Sequence, residues 1–153
     1  MAVPTSEELL ELIKTDVQKF NEARKANPSL AIDFSGADLR KANLRQAELG
    51  RANLSGADLR ETDLTDAQLN NANLEGADLR GATVDATNLH RAKILGAKLQ
   101  GARLGDFAKD GLRICLHPSS FEDVEYGKEH LEAMLGVMNL NKSWRIKYQL
   151  EPK

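Results

Sequence analysis

Residues 51–60 read Arg-Ala-Asn-Leu-Ser-Gly-Ala-Asp-Leu-Arg, two copies of a five-residue unit that fills the middle of the chain. In frames of five from residue 31 to residue 105, position 4 is apolar in all fifteen frames and position 2 is Ala in twelve. The position 4 residues are Phe34, Leu39, Leu44, Leu49, Leu54, Leu59, Leu64, Leu69, Leu74, Leu79, Val84, Leu89, Ile94, Leu99 and Leu104. A period of five fits neither a helix nor a strand, so it indicates a repeat architecture.

A second period of twenty residues lies over the first. The hexapeptide at 35–40 recurs unchanged at 55–60 and nearly so at 75–80, with a looser copy at 95–100. Twenty residues are four frames, which predicts a coil with four sides whose turns stack about 4.8 Å apart. Positions 2 and 4 would face inward and form the core. The Gly in each copy predicts a corner that needs positive φ or a close backbone approach.

The run Ala-(Asp/Asn)-Leu-X-X, as at 37–41, 52–56 and 77–81, resembles the pentapeptide-repeat family, including its short cyanobacterial members. The resemblance covers 75 of 153 residues. It implies a mainly β fold, a right-handed quadrilateral β-helix, here of about four coils. It implies little about activity, because most members have no established function. Some members resemble duplex DNA in shape and charge and bind type II topoisomerases.

Residues 1–30 predict one amphipathic helix. Thr5 and Glu8 fit a capping box, and Pro28 ends the segment. The apolar face comprises Leu9, Leu10, Ile13, Val17 and Phe20. We expect this helix to cap the open first coil, whose core and unpaired edge would otherwise be exposed. The alternative is a partner-binding or membrane-surface helix, but the mixed charges of its polar face disfavour a membrane.

Residues 106–153 leave the five-residue rhythm and predict a small αβ capping segment at the far end. An apolar run at 112–116 and alternation at 143–150 predict strands, and 128–139 predicts a helix. This segment holds the single Trp and both Tyr residues of the chain. Aromatic residues dominate binding hot spots, so Trp144 and Tyr148 are candidate interaction residues.

A row of arginines on the outside of the coil, at position 5, is a second candidate interaction surface. The twenty-residue register places Arg40, Arg60 and Arg80 above one another, and an Asp precedes each by two residues. Such a row could bind carboxylates or phosphates. The interpretation we favour is a self-paired Asp–Arg ladder with a small effect on stability.

The charge of the repeat weighs on the topoisomerase hypothesis. Residues 31–105 contain ten Lys plus Arg and ten Asp plus Glu, with a basic end at Lys93, Lys98 and Arg103. An imitation of DNA needs a dense acidic surface, because duplex DNA carries a charge about every 1.7 Å. Binding to DNA gyrase or another topoisomerase by DNA mimicry is therefore kept as the alternative function.

The sequence offers few residues for catalysis. His90, His117 and His130 stand apart from one another, which predicts no metal site and no cofactor. Cys115 lies between aliphatic residues, which is typical of an unreactive thiol. Two serines follow His117, so a small enzyme using this region is the second alternative, although no orienting third group is evident.

The sequence as a whole predicts a non-catalytic scaffold that presents a rigid surface to another protein. No apolar run approaches eighteen residues and the N-terminus lacks the pattern of a secretory signal, so we expect a cytoplasmic location and no membrane contact. The formal net charge of −2 gives no strong signal for nucleic acid.

Overall fold

The computed structural model describes residues 4–103 of the 153-residue chain. These residues form two helices, α1 (Ser6–Thr15) and α2 (Val17–Ala26), followed by the five-residue repeat. The predictions for the C-terminal segment 106–153 fall outside the described residues. So does the last core position, Leu104.

The prediction of a single N-terminal helix is wrong, because the helix is interrupted at Asp16. The capping box that begins α1 is confirmed, with Glu8 N donating to Thr5 Oγ1 at 3.2 Å and Thr5 N to Glu8 Oε2 at 2.8 Å. Asp16 has φ −151° and ψ 89°, and its carboxylate accepts from Lys19 N at 3.0 Å. Short polar side chains offer backbone groups an alternative to helical bonds, and Asp16 uses this to begin α2.

The repeat is a coil of twenty residues per turn. Parallel bridges join position 3 of each frame to position 3 of the frame twenty residues later, beginning with Asp33–Asn53 and ending with Thr83–Arg103. Each side contributes one bridging residue, so the described repeat contains no continuous strand. Two residues of every five are used in a corner, which leaves too few for a longer ladder.

One frame shows how the backbone is satisfied. Within 56–60, two N–H groups donate to the next coil, one to the preceding coil and one across a corner, while the fifth donates to a side chain. The five bonds, in chain order, are Gly56 N to Glu75 O, Ala57 N to Leu54 O, Asp58 N to Ala37 O, Leu59 N to Asp78 O and Arg60 N to Asp58 Oδ1. A buried peptide group without a partner is costly, so this arrangement explains the Asp or Asn at position 3.

Position 1 of every frame from 36 to 101 has positive φ. Gly56, at φ +64°, follows the predicted corner role of the glycine row. Eight non-glycine residues adopt the same conformation, with φ between 52° at Ala86 and 63° at Arg51. At each corner, the N–H of position 2 donates to the carbonyl of position 4 three residues earlier. This bond together with the positive φ is the pattern of a type II turn.

The core consists of the two predicted columns. All position 4 residues from Phe34 to Leu99 are buried, and so is position 2 from residue 47 to residue 102. Thr62 and Thr87 replace Ala in the inner column, and each hydroxyl donates to a carbonyl of the preceding coil, Leu39 O at 2.8 Å and Leu64 O at 2.7 Å. These bonds satisfy the hydroxyls within an apolar interior.

The helices pack on the first coil. Leu9, Ile13 and Phe20 are fully buried in the same cluster as the coil core, and the Phe20 and Phe34 ring centroids lie 6.2 Å apart. Their contact extends the apolar interior from the coil into the helical pair.

Two polar side chains of α2 bind the backbone of the side formed by residues 46–50. Asn21 donates to Gln46 O and accepts from Glu48 N, each at 2.9 Å. Arg24 donates to Glu48 O at 3.3 Å, to Gly50 O at 2.8 Å and to Leu30 O at 2.6 Å. The Asn21 and Arg24 side chains therefore pair an edge that has no preceding coil.

We expect Leu59→Asp to abolish cooperative thermal unfolding, because the fully buried site offers a carboxylate no partner. Circular dichroism melts would measure this. The control Leu59→Met keeps the volume and should lose less than about 1.5 kcal/mol. A Leu59→Asp melt within a degree or two of the wild type would contradict the inward assignment.

We expect Arg24→Met to lower the free energy of unfolding by about 2 to 4 kcal/mol, because it leaves carbonyls on the first coil without donors. Chemical denaturation would measure it. Lys25→Met, on the exposed neighbour, should change stability by less than about 0.5 kcal/mol. Equal effects of the two changes would show that the hydrogen bonds of Arg24 contribute nothing.

Candidate interaction surface

The arginine row lies on one side of the coil and is paired with the aspartate row. Arg40 donates to both carboxylate oxygens of Asp38, from Nε at 2.9 Å and from one terminal nitrogen at 2.6 Å. Its Nε also lies 3.7 Å from Asp58 Oδ2 in the next coil. The self-paired ladder predicted from the sequence is confirmed for these residues.

The other two arginines of the row repeat this geometry. Arg60 binds Asp58 at 2.8 and 2.7 Å and approaches Asp78 at 3.9 Å, and Arg80 binds Asp78 with its shortest contact at 2.6 Å. Each guanidinium therefore has a bidentate partner in its own frame, and Arg40 and Arg60 each have a weaker one in the next coil. The planar fork of Arg matches a carboxylate in this way, so the side chains hold one orientation.

These contacts shift the ionisation of the carboxylates. The hydrogen bond from the Arg40 side chain holds the pKa of Asp38 well below its ordinary value, and the Arg60 and Arg80 side chains lower the pKa of Asp58 and Asp78 in the same way. The backbone N–H two residues later donates to each carboxylate as well. The aspartates thus neutralise the arginines and complete the backbone pairing.

Another side of the coil carries a ladder of amides. Asn53 Nδ2 donates to Asp33 Oδ1 at 3.0 Å, and Asn73 Nδ2 lies 3.4 Å from Asn53 Oδ1. A third side is held by ion pairs between coils, including Arg45 with Asp63 at 3.4 Å. Outward side chains on several sides are therefore fixed by their neighbours in the stack.

The structure places Arg40, Arg60 and Arg80 together, as the register predicts, and their side chains are about half exposed. Trp144 and Tyr148 lie outside the described residues. Sequence reasoning missed the contacts of Asn21 and Arg24 with the coil. Both residues look like ordinary polar positions on an amphipathic helix, so only their placement on the first coil gives them a role.

The part of the chain from residue 4 to residue 103 contains no cluster of His, Cys, Asp or Glu with the geometry of a metal site. In the same range, neither helix has the length and apolar character needed to cross a membrane.

Comparison with known proteins gives a family match over the repeat. The pentapeptide-repeat family model matches residues 32–71 and 67–106, with eight copies. No curated protein matches the chain.

Solved structures of pentapeptide-repeat proteins resemble the chain. A protein from the Arabidopsis thaliana thylakoid lumen is 30% identical, over 57% of this chain and 66% of its own, with a TM-score of 0.45. HetL from Nostoc, involved in heterocyst differentiation regulation, is 32% identical over 61% and 36%, with a TM-score of 0.36. Rfr23 from Cyanothece is 32% identical over 67% and 65%, with a TM-score of 0.34. The chain thus spans less than two thirds of the length of each of these relatives.

We expect the thermal stability of the protein to fall as the pH drops below about 4. The carboxylates of Asp38, Asp58 and Asp78 have a lower pKa in the folded chain than the ordinary 3.8, so the unfolded chain binds more protons in acid. These carboxylates stabilise the folded chain fully at a pH above their ordinary pKa. That stabilisation is lost as the pH falls through their lower pKa in the folded chain. Melting temperatures measured between pH 7 and pH 2 would follow this.

Asp58→Asn provides the control for the acid dependence. The amide oxygen can still accept from Arg60 N but cannot titrate, so the melting temperature of this variant should fall less steeply in acid. A wild-type melting temperature that stays constant from neutral pH to pH 2 would contradict the role of the aspartate row.

Proposed function

This chain belongs to the pentapeptide-repeat family, and we propose that it is a non-catalytic scaffold whose rigid coil binds another protein. The observation that carries the proposal is the fixed Asp–Arg ladder on one side of the coil. Side chains already held in one orientation lose little conformational entropy when a partner binds. Solenoids also offer extended surfaces that suit macromolecules.

The proposal includes the architecture that the family implies. We infer a right-handed coil, with the α1–α2 pair closing its first turn and residues 106–153 closing the other end. The packing of Phe20 on Phe34 and the hydrogen bonds of Asn21 and Arg24 support the closing of the first turn by the two helices. We propose a cytoplasmic location for the protein.

Two surfaces are proposed for the partner, the row Arg40, Arg60 and Arg80 and the residues Trp144 and Tyr148. Each arginine binds its own aspartate through Nε and one terminal nitrogen. Arg80 has further contacts besides these. The aromatic residues provide a different chemistry, apolar rings with one polar end. Separate variants can therefore distinguish the two surfaces.

DNA mimicry is the weaker hypothesis for this coil. The carboxylates that would imitate phosphates at Asp38, Asp58 and Asp78 are bound by arginines at 2.6 to 2.7 Å. A topoisomerase that binds DNA would meet a neutralised row rather than a continuous acidic one. A supercoiling assay with added protein is the direct measurement, and inhibition or protection of the enzyme would restore this hypothesis.

We expect tagged full-length protein to retain a specific partner from a lysate of the source organism, and untagged protein to compete it away. The triple change of Arg40, Arg60 and Arg80 to Gln tests the ladder, and Trp144→Ala with Tyr148→Ala tests the aromatic residues. Circular dichroism would verify that each variant is folded. Loss of the partner in one variant would assign its surface, whereas failure of the wild type to retain any competable protein would contradict the scaffold function.

A further inference from the structure

The ion pairs of the coil divide its cations into two classes. The cations that lie within 4.0 Å of a carboxylate oxygen are Arg40, Lys41, Arg45, Arg60, Arg80 and Arg103. Within residues 31–103, the cationic side chains that form neither an ion pair nor a side-chain hydrogen bond are Arg51, Arg91, Lys93 and Lys98. The unpaired cations can pair with the carboxylates of a partner. The ladder arginines are already paired with aspartates of the coil.

Three of these cations belong to two adjoining sides of the last described coil. Arg91 and Lys93 belong to the side formed by residues 91–95, and Lys98 belongs to the adjoining side 96–100. Arg91 and Lys93 are exposed, and Lys98 is partly exposed. Lys93 stacks below Asn73, an uncharged residue, whereas Lys98 stacks below Asp78, which Arg80 already binds.

An exposed leucine lies at the corner between these two sides. Leu95 is 43% exposed and is the one large apolar side chain of residues 4–103 that is exposed to this degree. The residue after it, Gly96, has φ +68° and contributes no side chain to the corner. Twenty residues earlier the same corner position is the exposed Glu75, which bounds the basic area on the side of the preceding coil.

We propose that Arg91, Lys93, Leu95 and Lys98 form a docking surface, here called the lower corner, for an acidic segment of a partner protein that carries an apolar side chain. Carboxylates of the segment would pair with the three cations, and its apolar side chain would cover Leu95. The inference rests on the proposed scaffold function and names the chemistry of the partner. It also moves the expected contact from the ladder arginines to cations that are not yet paired.

Charge complementarity favours an acidic protein segment over the other anionic partners. A membrane surface needs a broad apolar face with many cations, and the lower corner offers one leucine. A nucleic acid needs cations that follow its phosphates along the surface, but the position above Leu95 in the preceding coil is the exposed Glu75. An acidic segment with one apolar residue matches both the small size and the mixed character of the surface.

The test uses the full-length chain and a labelled peptide of the repeating sequence Glu-Glu-Leu-Ser, with a Gln-Gln-Leu-Ser peptide as its matched control. Binding is measured by fluorescence anisotropy, and amide chemical-shift changes locate the contact. We expect the acidic peptide to bind, with shifts concentrated at residues 91–98. We expect the Gln peptide to bind at least about tenfold more weakly, since it lacks the carboxylates.

Variants separate the lower corner from general attraction to positive charge. The double variant Lys93→Glu, Lys98→Glu should lower the affinity for the acidic peptide by about tenfold or more, because like charges then face each other. Leu95→Asn should lower the same affinity by roughly fivefold, because the apolar contact is lost. The control Lys25→Glu alters an exposed cation on α2 and should change affinity by less than about twofold.

Several outcomes would overturn the proposal. They are equal binding of the Gln peptide, an effect of Lys25→Glu as large as that of the Lys93→Glu, Lys98→Glu double variant, and shifts centred on the ladder arginines. Tighter binding of anionic vesicles or duplex DNA than of the acidic peptide, at the same salt, would assign the surface to another class of partner. The scaffold function would still stand in these cases, because it is judged by retention of a competable partner from the lysate.

Discussion

The structure depends on the pairing of the backbone N–H groups of a five-residue side, which is complete in the frame 56–60. Two of the five donate to the next coil and one to the preceding coil, and a corner bond and a position 3 side chain take the other two. The last of these bonds needs a short acceptor at position 3, which explains Asp and Asn there. Because the frames at 91–95, 96–100 and 101–105 have Lys or Arg at position 3, they lack this side-chain acceptor.

The same constraint determines the surface chemistry. In the ladder frames, the aspartate at position 3 that accepts from the backbone also lies beside an arginine at position 5, so one residue serves both the backbone and the ion pair. Where position 3 becomes Lys93 and Lys98, the ladder ends and these two charges are not neutralised within the stack, whereas Arg103 pairs with Asp85. The coil therefore has a self-paired Asp–Arg ladder at 38–80 and a lower corner whose cations have no partner among the described residues.

This division changes how the surface is interpreted as a binding site. The regular arginine row is prominent in the sequence, but its guanidiniums are held by carboxylates at both oxygens. A partner would have to compete with those exposed ion pairs, at a modest cost for each. The lower corner carries no such cost, and its leucine adds an apolar contact that surface ladders lack. Rigidity of the stack then serves both surfaces by fixing their geometry before any partner binds.

The amino-acid sequence by itself determined the repeat, the two inward columns, the twenty-residue register and the pairing of the arginine and aspartate rows. Those features follow from local periods, and stacking by twenty converts a linear period directly into neighbours in space. Only the tertiary structure decided that the chain breaks at Asp16 into two helices, because helical periodicity continues across that residue while its carboxylate begins a new helix.

The contacts of Asn21 and Arg24 also required the tertiary structure. Their acceptors lie about 25 residues away in the chain, so no local pattern relates the helix to the first coil. The availability of Arg91, Lys93 and Lys98 is decided in the same way, because pairing depends on which side chains stacking brings within reach. Sequence periodicity therefore fixes the coil, and the three-dimensional neighbourhood fixes which charges remain to bind something else.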